Sequence, residues 1–270
     1  MSPQVWAWRQ GRVRSIGEAV DLVLCLLPFE AQFYAQAGIR AEFVGHPLAD
    51  LIPEHSDRHA ARQQLRLAEL TTVAVLPGSR MGEVSRLGDD FAGATRWLAQ
   101  RRANLQFIAP MANASVRTAF QHALRRRAHD VEVRLLDGDS HLALAAADVV
   151  LVASGTATLE ALLTKRPMVV AYRLGAATAW LVRALKLMKA PFFSQPNLLA
   201  GERIVPELFQ EQVTPEALGM ELLRELDDRA VRERQEHIFA DIHRQLRRNA
   251  SDRAAEAILS LLMPRPVPAT

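Results

Sequence analysis

Cysteine is almost missing from these 270 residues: Cys25 stands alone. One cysteine cannot close an internal disulfide, so nothing in the chain asks for an oxidising compartment. Cys25 falls in the apolar run at residues 22–27 and reads as a buried core residue. No apolar stretch approaches the roughly 18 residues that a spanning helix needs. The start, MSPQVWAWRQGR, lacks the unbroken apolar core of a signal peptide. A cytoplasmic protein is the expectation, with attachment to a membrane surface left open. Lysine is scarce too, occurring only at Lys165, Lys186 and Lys189, so the net charge of +3 rests on arginine. That surplus suits anionic partners such as phosphates, and it equally tracks genomic base composition. Arg125, Arg126 and Arg127 close a helical pattern, where cations oppose the helix dipole favourably, and read as a solvated helix end. There is no internal repeat, no low-complexity segment and no clustered set of histidines and carboxylates that demands a metal.

What is present is an alternation of short apolar strands with amphipathic helices. Candidate strands lie at residues 22–26, 42–44, 72–76, 105–109, 131–136, 149–153 and 168–171. Helical patterns occupy residues 83–101 and 115–127, and again 215–226, 229–248 and 252–262. A βαβα order with largely apolar strands predicts a parallel sheet covered on both faces. Gly45-His46-Pro47-Leu48 and the polar stretch at 53–59 mark a boundary, after which a complete doubly wound domain can form. The segment before it holds two or three strands at most, too few to bury a parallel sheet alone.

Two strand-to-loop-to-helix junctions carry the chemistry. The first is TVAVLPGSRMGEV (residues 72–84) and the second is DVVLVASGTATLEAL (residues 148–162). In each, a β-branched run stops at a glycine-containing loop and a helical pattern follows at once. That layout aims free backbone N–H groups and the positive end of a helix dipole at whatever sits above the strand ends, and phosphate is the usual occupant. Arg80 adds a planar fork for phosphate oxygens, and Glu160 a carboxylate suited to a pair of sugar hydroxyls. Together they predict a nucleotide-diphosphate pocket.

Read in order, several stretches resemble the lipid-A-disaccharide synthase family of inverting GT-B glycosyltransferases. They are SPQVWAWRQGRV (2–13), LPFEAQFY (27–34), FVGHPLAD (43–50), LPGSRMGEV (76–84), ASGTATLEAL (153–162), PMVVAYR (167–173), PNLLAG (196–201) and RRNASDRAAEAI (247–258). The ordered set, above all SPxVWAWR with FVGHPL, is the specific part. GSR and SGTATLE recur in related nucleotide-sugar enzymes. The resemblance implies an α/β chain of GT-B type, with one complete doubly wound parallel-sheet domain plus the last part of a second Rossmann-like domain. Residues 1–50 would be the C-terminal remnant of the N-terminal, acceptor-side domain, 51–263 the nucleotide-sugar-binding domain with its C-terminal helices, and 264–270 a disordered tail.

The implied reaction moves 2,3-diacylglucosamine from a UDP donor to 2,3-diacylglucosamine 1-phosphate, giving a β-1,6-linked disaccharide phosphate and UDP. No metal, cofactor or nucleic acid is implied. Peripheral contact with the inner membrane surface and self-association stay open. In the family, SPxVWAWR follows most of the N-terminal domain, which supplies acceptor-binding and acid/base residues, whereas here Ser2 directly follows the initiator. About 100 residues, a domain's worth, are expected to be absent, through a downstream start codon or a truncated gene. On that reading the chain alone is expected to be inactive and its base to lie in the absent segment.

Each candidate residue has a plainer reading beside it. Gly78 (close backbone approach), Ser79 (hydroxyl or N–H) and Arg80 (charge) would contact the diphosphate, or form a glycine turn with Arg80 paired to Glu83 on the surface. Gly155, Thr156 and Ala157 would let phosphate reach backbone N–H groups, although Thr156 and Thr158 also suit helix caps. Glu160 would bind the ribose, or merely match the helix dipole. Asn197 would lie in a loop near the donor, or serve turn chemistry, and Asn249, a weaker candidate, precedes the last helix and would serve as its cap region. His46, between the domains, is the candidate proton carrier among the residues present, against a structural turn histidine. Trp6, Trp8 and Arg9 would line the acceptor side, against a core role for the tryptophans. The competing functions are another UDP-sugar enzyme of this fold, a UDP-N-acetylglucosamine epimerase or a peptidoglycan glycosyltransferase, and a nucleotide-binding remnant without catalysis. SPQVWAWR and FVGHPLAD argue against the two enzymes, and UDP binding measured beside sugar transfer separates the remnant.

Overall fold

Apolar runs bounded by glycine, proline and polar residues become strands here because helices cover both faces of the sheet they join. The computed structural model describes residues 12–175 and 192–262. It begins with α1 (Val13–Ala19), β1 (Val23–Cys25), α2 (Pro28–Gln36), β2 (Ala41–Phe43), α3 (Pro47–Leu51) and α4 (Arg58–Leu65). There follow β3 (Thr71–Leu76), α5 (Met81–Ala99), β4 (Leu105–Met111), α6 (Ala114–Arg127) and β5 (Val133–Asp137). Next come α7 (Ser140–Ala146), β6 (Val149–Ala153), α8 (Thr156–Leu163) and β7 (Met168–Tyr172). The last described elements are α9 (Gln195–Ala200), β8 (Glu207–Phe209), α10 (Pro215–Asp227), α11 (Arg229–Leu246) and α12 (Ala250–Leu262).

β1 and β2 pair in parallel as a two-stranded sheet, and the other six strands form one sheet in the order β5-β4-β3-β6-β7-β8. Every pairing in it is parallel. From the centre the chain winds outward through β4 and β5 on one side, then through β7 and β8 on the other. This is the doubly wound arrangement expected from the sequence. The period-2 alternation of the strands splits the core in two. Ala74, Leu76, Val150 and Val152 pack with residues of α7, α8 and α11. Val73, Val75, Val149 and Leu151 pack with α5, α6 and α10. In α5 the buried positions Val84, Leu87, Phe91 and Leu98 recur at helical spacing.

Two elements differ from expectation. β8 is a three-residue edge strand, too short to show a period. PNLLAG, expected as a loop, is largely the helix α9 followed by Gly201 in the left-handed region at φ 71°. The N-terminal segment is tied firmly to the larger unit. Val23, Cys25 and Tyr34 make a small core of their own, while Leu27, Ala49 and Ile52 belong to the large one. The boundary expected after Asp50 thus falls inside α3, beside residues bonded to α11 and α12. Cys25 is fully buried, and burial above all pushes its thiol up to about 12, so it is an inert core residue.

One buried carboxyl makes stability depend on pH. Glu225 is 2% exposed between α10 and α11. Its Oε1 accepts from Gln235 Nε2 at 2.9 Å, and the same nitrogen donates to Ile204 O at 2.9 Å. Burial pushes Glu225 up to about 7 from 4.5, against the Gln235 hydrogen bond. The folded chain therefore holds this proton where the unfolded chain has released it. The associated stability is fully present below about 4.5 and is lost as pH rises through about 7. The shift corresponds to on the order of 3 kcal/mol. Glu225→Gln keeps the shape and removes the titration. Its melting temperature is expected to gain on the parent between about pH 5 and about pH 8. A gap that stays constant across that range would refute the assignment.

Candidate functional site

β3 and β6 lie side by side in the register Val73 with Val149 through Leu76 with Val152. The segments that follow both strands therefore leave the same sheet edge together, where the strand order reverses and no crossover helix fills the crevice. A cavity of about 570 Å³ opens there, lined by both loops.

The first loop is closed by its own glutamate. Glu83, in the first turn of α5, accepts from Ser79 N at 2.9 Å and from Arg80 N at 3.3 Å through Oε2. Gly78 has φ 129°, and a Cβ there would lie 2.4 Å from Glu83 Cβ. Gly78 lines the cavity and also packs closely on Glu83, and of the two contacts expected of Ser79 the N–H is already engaged, which leaves the hydroxyl. What the loop offers the cavity is the Ser79 hydroxyl and the Arg80 guanidinium. Arg80 Nη1 stands 3.7 Å from Glu83 Oε1 with its side chain 84% exposed. A pair that long and wet is worth little, so the guanidinium is free to turn to a ligand.

The second loop is the opposite case. Gly155 caps α8 with no side-chain bond, and the first turn carries no acidic residue. Thr158 does not cap: its hydroxyl donates back to Gly155 O at 2.8 Å. The N–H groups of Gly155, Thr156 and Ala157 have no partner among the described residues, and all three residues line the cavity. A Cβ added at Gly155 would meet nothing within 4 Å. An uncapped helix start with open space above it is an anion site. One turn on, half-buried Glu160 lines the same cavity and accepts from Ser140 Oγ at 3.3 Å. That bond holds the carboxylate toward the loop after β5.

The structure thus gathers Gly78, Ser79, Arg80, Gly155, Thr156, Ala157 and Glu160 around one cavity, and leaves other candidates out. Asn197 is fully buried. Its Oδ1 accepts from Ile204 N at 2.8 Å and Val205 N at 2.9 Å, and its Nδ2 donates to Val205 O at 3.0 Å. It staples α9 to the segment that leads into β8 and does not line the cavity. His46 caps α3, with Nδ1 accepting from Leu48 N at 3.2 Å. Burial lowers its pKa, and it too stands outside the cavity lining. Asn249 sits in the left-handed region ahead of α12, its N–H donating to Asp50 Oδ1 at 3.0 Å. Trp6, Trp8 and Arg9 lie outside the described residues. Among those described, no group of three or more His, Cys, Asp or Glu is placed to hold a metal.

Sequence reading missed Met111, Asp139, Ser140, Tyr172, Phe193 and Gln195, which also line the cavity. A signal for Gln195 was there: Ser194 followed by Pro196 is a helix-start pattern, which puts half-buried Gln195 in the first turn and Asn197 on the buried side.

Comparison with known proteins places the chain among close relatives. The model of the family described as lipid-A-disaccharide synthetase matches residues 1–260. The lipid-A-disaccharide synthase of Pseudomonas putida (strain GB-1) is 53% identical over 265 residues, 98% of this chain and 69% of the relative. That of Pseudomonas syringae pv. syringae is 54% identical over 263 residues, 97% of this chain and 67% of the relative. Solved structures share the fold at low identity. A putative UDP-N-acetylglucosamine 2-epimerase from Listeria monocytogenes has a TM-score of 0.63 at 18% identity, covering 94% of this chain and 62% of that one. An Anabaena protein solved with UDP and glucose has a TM-score of 0.53 at 16% identity, covering 97% of this chain and 69% of that one.

The placement of Asn197 can be checked directly. Asn197→Ala strands the N–H groups of Ile204 and Val205, at about 1–3 kcal/mol for each buried orphan. A clear drop in melting temperature is expected, with nucleotide affinity of the folded protein unchanged. Lost nucleotide binding with full stability would return Asn197 to the ligand.

Proposed function

Since the chain belongs to the lipid-A-disaccharide synthetase family, we propose that the cavity between β3 and β6 holds the UDP of a UDP-sugar donor in glycosyl transfer. The observation that carries this reading is the uncapped start of α8, whose first three N–H groups have no partner among the described residues and which lines one cavity with Arg80. In the transfer, the bond from sugar C1 to the β-phosphate oxygen breaks and its electron pair stays on that oxygen. The acceptor hydroxyl forms the new bond at C1 from the opposite face and gives its proton to a base. The helix dipole, the free N–H groups and Arg80 meet the charge that grows on the departing UDP, and donors fixed in advance lower the barrier most. Glu160 takes a pair of ribose hydroxyls and so sets where the diphosphate rests.

In its finer form the donor is UDP-2,3-diacylglucosamine and the acceptor 2,3-diacylglucosamine 1-phosphate. Such substrates belong at a membrane surface, so the proposed location is the cytoplasmic face of the inner membrane. Among the described residues no helix is long and apolar enough to cross a membrane, and peripheral contact is the form proposed. The strong match to the lipid A family disfavours an epimerase or a peptidoglycan glycosyltransferase, whose likeness here is one of fold. A nucleotide binder without catalysis is distinguished by assaying disaccharide formation beside UDP binding.

Two variants test the nucleotide reading. Losing a charge-assisted phosphate contact costs about 1.5 to 3 kcal/mol, so Arg80→Ala is expected to weaken UDP roughly tenfold or more by calorimetry. Unchanged affinity would reduce Arg80 to its loose pair with Glu83. Glu160→Gln is expected to weaken UDP with little change in melting temperature. A small stability loss of about 0.3 to 1 kcal/mol with UDP affinity intact would instead assign Glu160 to dipole matching.

A further inference from the structure

Three arginines converge at the other end of the strands that carry the nucleotide cavity. Arg58 and Arg62 stand one turn apart on α4, and Arg166 follows α8 just before β7. With Ser56, His59 and Glu69 they line a second cavity of about 380 Å³, which shares no lining residue with the first. β3 is six residues long, so the length of the strands, roughly 17 Å, separates the two.

Part of this cluster has a plain structural use. Arg166 donates from Nε to Leu144 O at 3.1 Å and from Nη2 to Ala145 O at 2.8 Å, and Arg62 Nε donates to Ala146 O at 3.0 Å. Those bonds close the carbonyl end of α7. They leave Nη1 of Arg62 and of Arg166 without a partner among the described residues, and Arg58 uses Nη1 alone, for Asp148. Among the described residues, Asp148 is the one carboxylate that the three guanidiniums bond. Glu69 reaches only His59, at 4.0 Å, and its side chain is 78% exposed. One carboxylate and the partial charge of a helix end do not balance three guanidiniums, so the cluster keeps a positive surplus.

Arg166 feels that surplus. It is 5% exposed. Burial first, then neighbouring Arg58, holds its pKa down at about 10, against the attraction of Glu236 and Asp148. A buried guanidinium with an unused donor and like charges beside it is costly unless an anion joins it. Forks set around a shared space fit the oxygens of a tetrahedral oxyanion, and a dianion matches the surplus better than chloride does.

We propose that Arg58, Arg62, Arg166 and Ser56 form a second anion site, for a phosphate monoester group, at the foot of β3 and β6. The group is free in solution or carried by a lipid headgroup. The arginines supply their unused N–H donors and Ser56 its hydroxyl. Arg58 and Arg62 also hold Asp148, which accepts from Thr72 N at 2.8 Å. The bound anion thus ties α4 to the strand pair whose register builds the nucleotide cavity.

The test follows the melting temperature of the full chain during titration with inorganic phosphate, against potassium chloride at matched ionic strength. Phosphate is expected to raise it saturably between about 0.1 and 10 mM, and chloride to leave it unmoved. Arg58→Gln keeps Arg62 on Asp148 and is expected to need roughly tenfold more phosphate for the same rise. Ser56→Ala, which touches no ion pair, should need about fivefold more. Arg80→Ala controls for phosphate entering the nucleotide cavity, and the response should be unchanged in it. Flotation with phosphatidylcholine vesicles containing phosphatidic acid then identifies the source. Capture that Arg58→Gln abolishes assigns a lipid headgroup, and a phosphate response without capture assigns a soluble phosphate. A parent no more responsive to phosphate than to chloride would overturn the site. So would a response that Arg58→Gln and Ser56→Ala both keep, or that Arg80→Ala removes. Should Arg58→Gln fail to fold, Ser56→Ala and the parent's comparison of phosphate with chloride decide.

Discussion

The site depends on the register of β3 against β6, and Asp148 locks that register at the foot of both strands. Its N–H donates to Thr72 O at 2.8 Å, while its carboxylate accepts from Thr72 N at 2.8 Å. Arg58 and Arg62 reach the same carboxylate at 2.7 and 2.5 Å and bind α4 beneath the sheet. A slip by one residue would turn Ala74 and Leu76 from the α8 face to the α5 face and break every one of these bonds. With the foot fixed, Leu76 stands opposite Val152, and the two loops must emerge together. The strand order then keeps the crevice open, because the chain leaves β3 for β4 on one side and β6 for β7 on the other. Neither glycine loop is a site without the other.

The two helix starts at this crevice are electrostatically unequal, and the inequality is written in local sequence. In GSRMGE a glutamate in the first turn of α5 reaches back and takes the loop's own N–H groups, in the manner of a capping box. In SGTATLE the first acidic residue comes a turn later, too far along the helix to reach back to the cap. The dipole of α5 is thus answered internally, while that of α8 is left for a ligand. Arg80 bridges the two cases: it offsets the charge Glu83 brings to the cavity and adds a cation that the α8 start lacks. The residue that looks like a competitor for phosphate is what keeps the first loop in shape.

Most of the sheet was legible because its strands are buried on both faces, and such strands are continuous apolar runs that cannot be anything else at that length. The loops were legible because glycine between a strand and a helix has few other uses. What escaped has physical reasons in common. β8 has three residues at a sheet edge and starts with glutamate, so neither length nor alternation marks it. Helix α9 spans six residues, less than two turns, and Asn197 inside it has the composition of a turn. Only tertiary structure shows that its amide satisfies backbone groups of Ile204 and Val205. Gln195, which a propensity argument passes over, became visible through its place in the cavity lining rather than through its type.

His46 illustrates how a residue with catalytic chemistry can be retained for its lone pair. The junction between the N-terminal segment and the C-terminal helices is made of directed polar bonds. His46 N donates to Leu246 O at 2.9 Å, and Asp50 accepts from the N–H groups of Arg248, Asn249 and Ala250 at the start of α12. A Cβ on Gly45 would sit 2.8 Å from Leu246 O, so the chain can pass this closely only as glycine. His243, fully buried, reaches Ala49 O at 2.9 Å with Nε2, and its Nδ1 lies 2.5 Å from Lys165 Nζ. For that ring to donate on one side and accept on the other it must be neutral, as must His46 for Nδ1 to accept from Leu48. Burial lowers the pKa of both imidazoles, which secures the form that each geometry requires. The same burial that makes His46 a reliable cap keeps it outside the cavity where a proton would be exchanged. The segment it anchors carries Leu27 to the cavity rim, so its part in the site is to hold that rim in place.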